Sequence, residues 1–199
     1  MNSEGIWCDV RTTGSPSGRP ALFLDRDGTL IELVDYLADP EQVALSTVAV
    51  AVIRRAKKAG WAVVIVTNQS GIGRGYYGWD EFSAVQTRLH NLLTVHGTLV
   101  DAVYACPHPP RSAGGPPVSA YRKPAPGMLL RAAADLRLDL SRSVIAGDTA
   151  ADLMAGKSAG LLSGVLTNTG YGGCESEREK AKLLSGDGFT VTFELGELF

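Results

Sequence analysis

Short apolar runs alternate along this chain with longer stretches in which apolar residues recur at helical spacing. Ala21-Leu22-Phe23-Leu24 is a continuous apolar run followed at once by acidic and glycine residues. That is the pattern of a strand covered on both faces. Ser46 or Thr47 can cap a helix that carries Val48, Val52, Ile53 and Ala56 on one stripe and ends in Lys57, Lys58 and Gly60. A strand at Trp61 to Val66 follows directly. From Trp79 to His96 the helical pattern returns through Phe82, Val85, Leu89, Leu92 and Leu93, closes at Gly97, and leads to a strand at Leu99 to Ala105. The same unit repeats to the end of the chain. Helices are predicted at Met128 to Leu138, Ala150 to Ala159 and Glu175 to Leu184, and strands at Ser143 to Ala146, Ser163 to Thr167 and Phe189 to Phe193. Strands joined by helices need right-handed crossovers, so the prediction is an α/β fold, a three-layer doubly wound parallel sheet.

Two stretches fall outside this rhythm. Residues 1–20 are turn-rich and polar through Thr12-Thr13-Gly14-Ser15-Pro16-Ser17-Gly18, which reads as a loose leader in which Ile6 and Trp7 are the residues able to pack down; residues 21–199 read as one domain. Cys106 to Pro124 holds six prolines and two glycines, a loop by composition.

Composition narrows the function. In 199 residues, 45% are hydrophobic and 20% charged, a globular balance. The 19 basic and 21 acidic residues leave a net charge of -2, too little positive field for nucleic acid to be the main partner. Three scattered cysteines, Cys8, Cys106 and Cys174, argue against a disulfide framework and for a reducing cytoplasm. The apolar runs are too short to span a membrane, and no basic segment precedes an apolar one at the N-terminus. Nothing in the pattern specifies an oligomeric state.

A doubly wound sheet places its functional groups at the carboxyl ends of its strands. After the first strand stand Asp25-Arg26-Asp27-Gly28-Thr29-Leu30, two acids that suit either an ordinary turn or a divalent cation beside a nucleophilic carboxylate. After the second come Thr67-Asn68-Gln69-Ser70-Gly71-Ile72-Gly73, a hydroxyl and glycine-rich backbone able to hold an anion. Arg122-Lys123-Pro124 follows the long loop. Gly147-Asp148-Thr149-Ala150-Ala151-Asp152 puts two acids four apart at a helix start, where the dipole also favours them.

Taken in this order, the four signals resemble the haloacid dehalogenase (HAD) superfamily of magnesium-dependent phosphotransferases over about residues 21–168, with Asp25-x-Asp27-Gly28-Thr29-Leu30 as its signature. Phe23 to Thr29, Thr67 to Ile72, Cys106-Pro107-His108 and Arg122-Lys123-Pro124-x-Pro126-Gly127-Met128-Leu129 are similar to the small heptose-bisphosphate and histidinol-phosphate phosphatases. Ser70 and Pro126 to Leu129 lean toward the heptose branch.

The resemblance implies roles. Asp25 is the expected nucleophile and Asp27 the general acid and base; Thr67 and Lys123 hold the phosphoryl oxygens. Mg2+ is expected on Asp25, the main-chain carbonyl of Asp27, and Asp148, with Asp152 behind them. Asn68, Gln69, Ser70, Arg122, Asp35, Tyr36 and Thr149 are expected to face a small phosphorylated sugar. Gly28 to Leu45 and Cys106 to Arg122 are too short to form a cap domain, so an open site is expected. Histidinol phosphate is the alternative substrate, and a catalytically idle HAD-like binding module the alternative class. Two departures stand out. Relatives hold a structural zinc through Cys-x-His and a later Cys-x-Cys; here Cys106 and His108 remain, but Ser119-Ala120-Tyr121 replaces the second pair, and two ligands do not close a zinc site. Thr149 stands where heptose-bisphosphate relatives often carry a lysine. His90 and His96 read as ordinary helix-surface or helix-end residues, and Tyr76, Tyr77 and Trp79 as a packed loop anchor.

Overall fold

The computed structural model describes residues 5–12, 16–110 and 119–199. Parts of the expected leader, 1–4 and 13–15, and the centre of the proline-rich loop, 111–118, lie outside the described residues.

Seven strands form one sheet: β1 Trp7–Val10, β2 Ala21–Leu24, β3 Ala62–Asn68, β4 Ala102–Cys106, β5 Val144–Gly147, β6 Ser163–Leu166 and β7 Thr190–Thr192. The helices are α1 Thr47–Lys58, α2 Ser70–Gly73, α3 Trp79–Val95, α4 Gly127–Leu136, α5 Ala150–Ser158 and α6 Glu175–Lys182. The strand order is β1-β4-β3-β2-β5-β6-β7, and every pair except β1 with β4 is parallel.

Alternate residues of the central strands feed two cores. Leu22, Leu24, Val63 and Ile65 meet α1 and α3 through Val52, Ile53, Val85 and Leu89. Phe23, Val64, Val66 and Ile145 meet α4 and α5 through Met128, Leu129, Ala132 and Leu153. Both faces of the sheet are therefore covered, which is why the strands read as unbroken apolar runs. From β2 the winding runs outward through β3 and β4 on one side and, after the return to β5, through β6 and β7 on the other. The crevice above the β2 and β5 carboxyl ends is thus the topological switch point, where such sheets bind ligands. Between β2 and α1 the chain makes only isolated bridges at Asp27–Ile31 and Ile31–Leu45 and a 3-10 turn at Pro40–Gln42.

The leader departs from expectation. Trp7 to Val10 adds an antiparallel edge strand to β4, with Ile6 fully buried below it. Its residues carry no clean alternation, and the pairing partner lies nearly a hundred residues away. Behind it, the fully buried Asp101 carboxylate accepts from Arg19 Nη2 at 3.0 Å, Lys57 Nζ at 2.8 Å and the Val63 amide at 2.8 Å. Strand β4 begins only after this junction, at Ala102 rather than Leu99. His90 is also not a surface residue: it is buried 4.0 Å from Asp9, and burial lowers its pKa to about 4. The β1 strand covers that helix face, a contact that helical periodicity does not reveal. His96 caps the exposed end of α3, as expected.

Candidate active site

Asp25 leaves the end of β2 with its main-chain amide tied to the Ala146 carbonyl, so the neighbouring strand fixes its position at the switch point. Lys123 reaches it from the proline-rich side. Lys123 is 4% exposed, and its ammonium lies 2.6 Å from Asp25 Oδ1, 2.5 Å from Asp152 Oδ1 and 2.7 Å from the Val66 carbonyl. Asp148 follows β5 and is also buried. Three carboxylates therefore face one ammonium. Burial pushes the Asp25 carboxyl well above the usual range, against the pull of Lys123, and burial with the charge of Asp152 raises Asp148 to about 7. The net field of these acids more than offsets the burial penalty on Lys123 and raises its pKa.

This excess negative charge is the test of whether a cation belongs there. Asp25, Asp148 and Asp152 each offer a carboxylate oxygen within 4.8 Å of the others, the one such grouping of three metal-ligating side chains among the described residues. An all-oxygen, buried, doubly underneutralised donor set fits a hard divalent cation such as Mg2+. Asp152 is the most committed of the three. Its Oδ1 pairs with Lys123, and its Oδ2 accepts from the Thr149 hydroxyl at 2.6 Å and the Thr149 amide at 3.1 Å, closing a capping box on α5.

Asp27 points a different way. Arg26, 1% exposed, forks onto it at 3.0–3.1 Å from Nη2 and Nε, while Nη1 reaches Gln86 Oε1 at 3.1 Å and the guanidinium lies 5.2 Å over the Phe82 ring. Gln69 Nε2 donates to Asp27 Oδ2 and to Thr67 Oγ1, both at 2.8 Å. The amide's own oxygen accepts from Arg26 at 3.0 Å and from Tyr77 OH at 2.5 Å. Fixed donors on a carboxylate restrict its rotation, so Asp27 is aimed by residues beneath it.

The expected residues thus gather around one cleft of about 790 Å³, lined by Asp25, Asp27, Asp35, Tyr36, Thr67, Ser70, Arg122, Lys123, Asp148 and Thr149 among others. Asn68 and Gln69 also touch it, but their polar atoms are already engaged. Asn68 donates to the Lys123 carbonyl and accepts from the Lys123 amide, each at 3.1 Å, so it fixes the lysine's main chain. Thr149 spends its hydroxyl on Asp152. Tyr77, expected only to anchor a loop, joins the Gln69 network, as do Arg26 and Gln86, which lie outside the expected site residues. A signal for Arg26 was present: a charged residue between two motif acids at the end of a buried strand must find partners. Cys106 lies fully inside the sheet core, where burial raises its thiol pKa, and His108 is exposed.

Residues 120–185 match the HAD-hydrolase-like family model. Over 174 residues the chain is 47% identical to the D-glycero-beta-D-manno-heptose-1,7-bisphosphate 7-phosphatase of Mesorhizobium japonicum, covering 84% of this chain and 79% of that protein. It is 43% identical to the D-glycero-D-manno-heptose-1,7-bisphosphate 7-phosphatase of Thermosynechococcus vestitus, over 77% of this chain and 81% of that one. Among solved structures, the D,D-heptose 1,7-bisphosphate phosphatase from B. bronchiseptica, complexed with magnesium and phosphate, matches with a TM-score of 0.75 and 31% identity, covering 89% of this chain and 94% of that chain.

Proposed function

This chain belongs to the HAD-like heptose-bisphosphate 7-phosphatase family, and from that membership and the site we infer that it is a magnesium-dependent phosphatase that removes the 7-phosphate of D-glycero-D-manno-heptose 1,7-bisphosphate. The observation that carries the reading is the convergence of Asp25, Asp148 and Lys123 above the β2 and β5 ends. In the first step an Asp25 oxygen attacks phosphorus in line, the phosphorus–oxygen bond to the sugar breaks, and Asp27 gives its proton to the departing alkoxide. In the second, Asp27 takes a proton from water, the hydroxide attacks the aspartyl-phosphate, and inorganic phosphate leaves with Asp25 regenerated. Lys123 and the Thr67 hydroxyl hold the non-bridging oxygens as charge redistributes. Asp25, Asp148 and the Asp27 main-chain carbonyl would hold Mg2+, whose charge offsets the repulsion between a carboxylate nucleophile and a phosphate dianion.

The bisphosphate reading draws on the cleft wall. Arg122 lines it half-buried, donating from Nη1 to the His108 carbonyl at 2.8 Å, and burial followed by the neighbouring Arg74 guanidinium lowers its pKa. Two guanidiniums close enough to repel each other form a receptor for a second anionic group. Thr149 supplies no cation, and Lys180 at the mouth is paired to Glu177 at 2.6 Å.

The test is a panel of phosphate esters assayed with Mg2+ and with chelator, containing both anomers of the heptose 1,7-bisphosphate, the heptose 7-phosphate and histidinol phosphate. Highest kcat/KM on a heptose bisphosphate, lost with chelator, is expected. Preference for histidinol phosphate, or release that chelator does not affect, overturns the reading.

A further inference from the structure

The loop leaving β6, residues 167–173, is not among the strand ends to which the sequence pattern assigns chemistry, yet it is built into the site at four points. The Tyr171 amide donates to Asp148 Oδ2 at 3.0 Å. Gly170, at φ +55°, and Gly28, at φ +78°, close on that same oxygen from two loops 142 positions apart in sequence; a Cβ on either would collide with Asp148 Oδ2. The two glycine Cα atoms face each other so closely that a Cβ on Gly170 would stand 2.8 Å from the Gly28 Cα. Finally, the Thr169 hydroxyl donates to the Gly28 carbonyl at 2.6 Å, with Thr167 Oγ1 3.1 Å behind it. The loop itself is compact, since Gly172 packs where a side chain would strike the Thr167 carbonyl.

We propose that this loop is a positioning element for the metal site, which walls off Asp148 Oδ2 and presents only Oδ1 to the cation while locking the Asp25–Gly28 turn in register with β5. This rests on the reading of Asp25 and Asp148 as magnesium ligands. The physical consequence concerns selectivity. An Asp148 carboxylate with one oxygen held by an amide and two glycines binds monodentately, which suits the small octahedral ion; Ca2+ readily accepts a bidentate carboxylate and longer bonds. Partners that orient a ligand from behind commonly change metal affinity about 10–100-fold when removed. Thr169 does not line the cleft, so its effect runs through Gly28 and Asp148; the Tyr171 side chain lines the cleft, and its main-chain amide is what acts on Asp148.

The experiment measures metal binding directly, by titration calorimetry of Mg2+ and Ca2+ into chelator-stripped full-length protein and by the electron paramagnetic resonance of bound Mn2+, independent of any substrate. Thr169→Val is expected to weaken Mg2+ by about 10-fold or more and to narrow its advantage over Ca2+, whereas Thr169→Ser, which keeps the hydroxyl, restores wild-type binding. In turnover the valine variant raises the Mg2+ concentration needed for half-maximal rate while substrate KM at saturating Mg2+ stays near wild type. Gly170→Ala is the more severe version, and Thr169→Val serves if the alanine variant fails to fold. Wild-type Mg2+ affinity and wild-type Mg2+/Ca2+ discrimination in folded Thr169→Val overturns the proposal alone. A wild-type protein that binds no Mg2+ overturns the magnesium reading and this proposal with it.

Discussion

Replacing Lys123 by methionine keeps the length of the side chain and removes the charge that bridges Asp25 and Asp152. The ammonium sits 2.6 and 2.5 Å from these carboxylates and 2.7 Å from the Val66 carbonyl, nearly out of contact with water. Breaking a buried ion pair from one side leaves the partner charge uncompensated, which costs about 3–5 kcal/mol. The lost bond to Val66 adds about 1 kcal/mol. Against this, the acids can take up protons and methionine packs without a desolvation penalty. A net loss of about 3–5 kcal/mol in metal-free protein at pH 8 corresponds to roughly 6–20 °C in Tm for a chain of this size. Because a bound dication supplies the missing positive charge and binds only the native state, Mg2+ should raise the variant's Tm by more than it raises the wild type's. The assay is thermal unfolding followed by circular dichroism, with chelator and with Mg2+, on both proteins. A metal-free variant that melts within about 2 °C of wild type, or equal Mg2+ shifts in the two proteins, would refute the argument that Lys123 is the counter-ion of a charge-crowded site. Activity should fall about 10²–10³-fold even with saturating Mg2+, because a donor to the transferring phosphoryl group is gone.

Three further outcomes follow from the same geometry. Metal-free wild type should lose stability as pH rises from about 4 to 7: Asp148 keeps its proton to about pH 7 when folded but releases it near its usual 3.8 when unfolded, so the native state binds more protons in that window; Mg2+ should flatten the slope, and pH-dependent denaturant melts read both. Asp25→Asn should fold and lose at least about 10³-fold in kcat, measured as phosphate release beside a circular dichroism spectrum, and a folded variant with substantial turnover would end the aspartyl-phosphate mechanism. Arg26→Met frees Asp27 from its fork and should lower kcat by about 10²-fold with little change in KM, whereas a large KM effect at constant kcat would assign Arg26 to substrate binding instead.

The parts of this protein that its sequence determined are those governed by nearest neighbours and by period. Ala21 to Leu24 reads as a doubly covered strand because every residue in it is apolar, and Asp25 and Asp27 therefore stand at a strand end whatever the sheet order turns out to be. The alternation of strands and helices carries the layered architecture for the same reason, and the spacing of Lys123 and Asp148 after later elements marks them as candidates for the same edge. What these groups do to one another depends on contacts that exist in the assembled fold alone. Lys123 meets Asp25 across 98 positions and Thr169 meets Gly28 across 141, and no local pattern encodes such pairs. Trp7 to Val10 became an edge strand because β4 offered an unpaired edge, not because its own residues demanded one. Asn68 and Gln69 look like substrate ligands in a polar, glycine-flanked turn, yet folding brings the Lys123 backbone and the Asp27 carboxylate within reach of their amides. Buried polar groups bond to whatever donor or acceptor the fold delivers, so their partners emerge only when the strands are assembled.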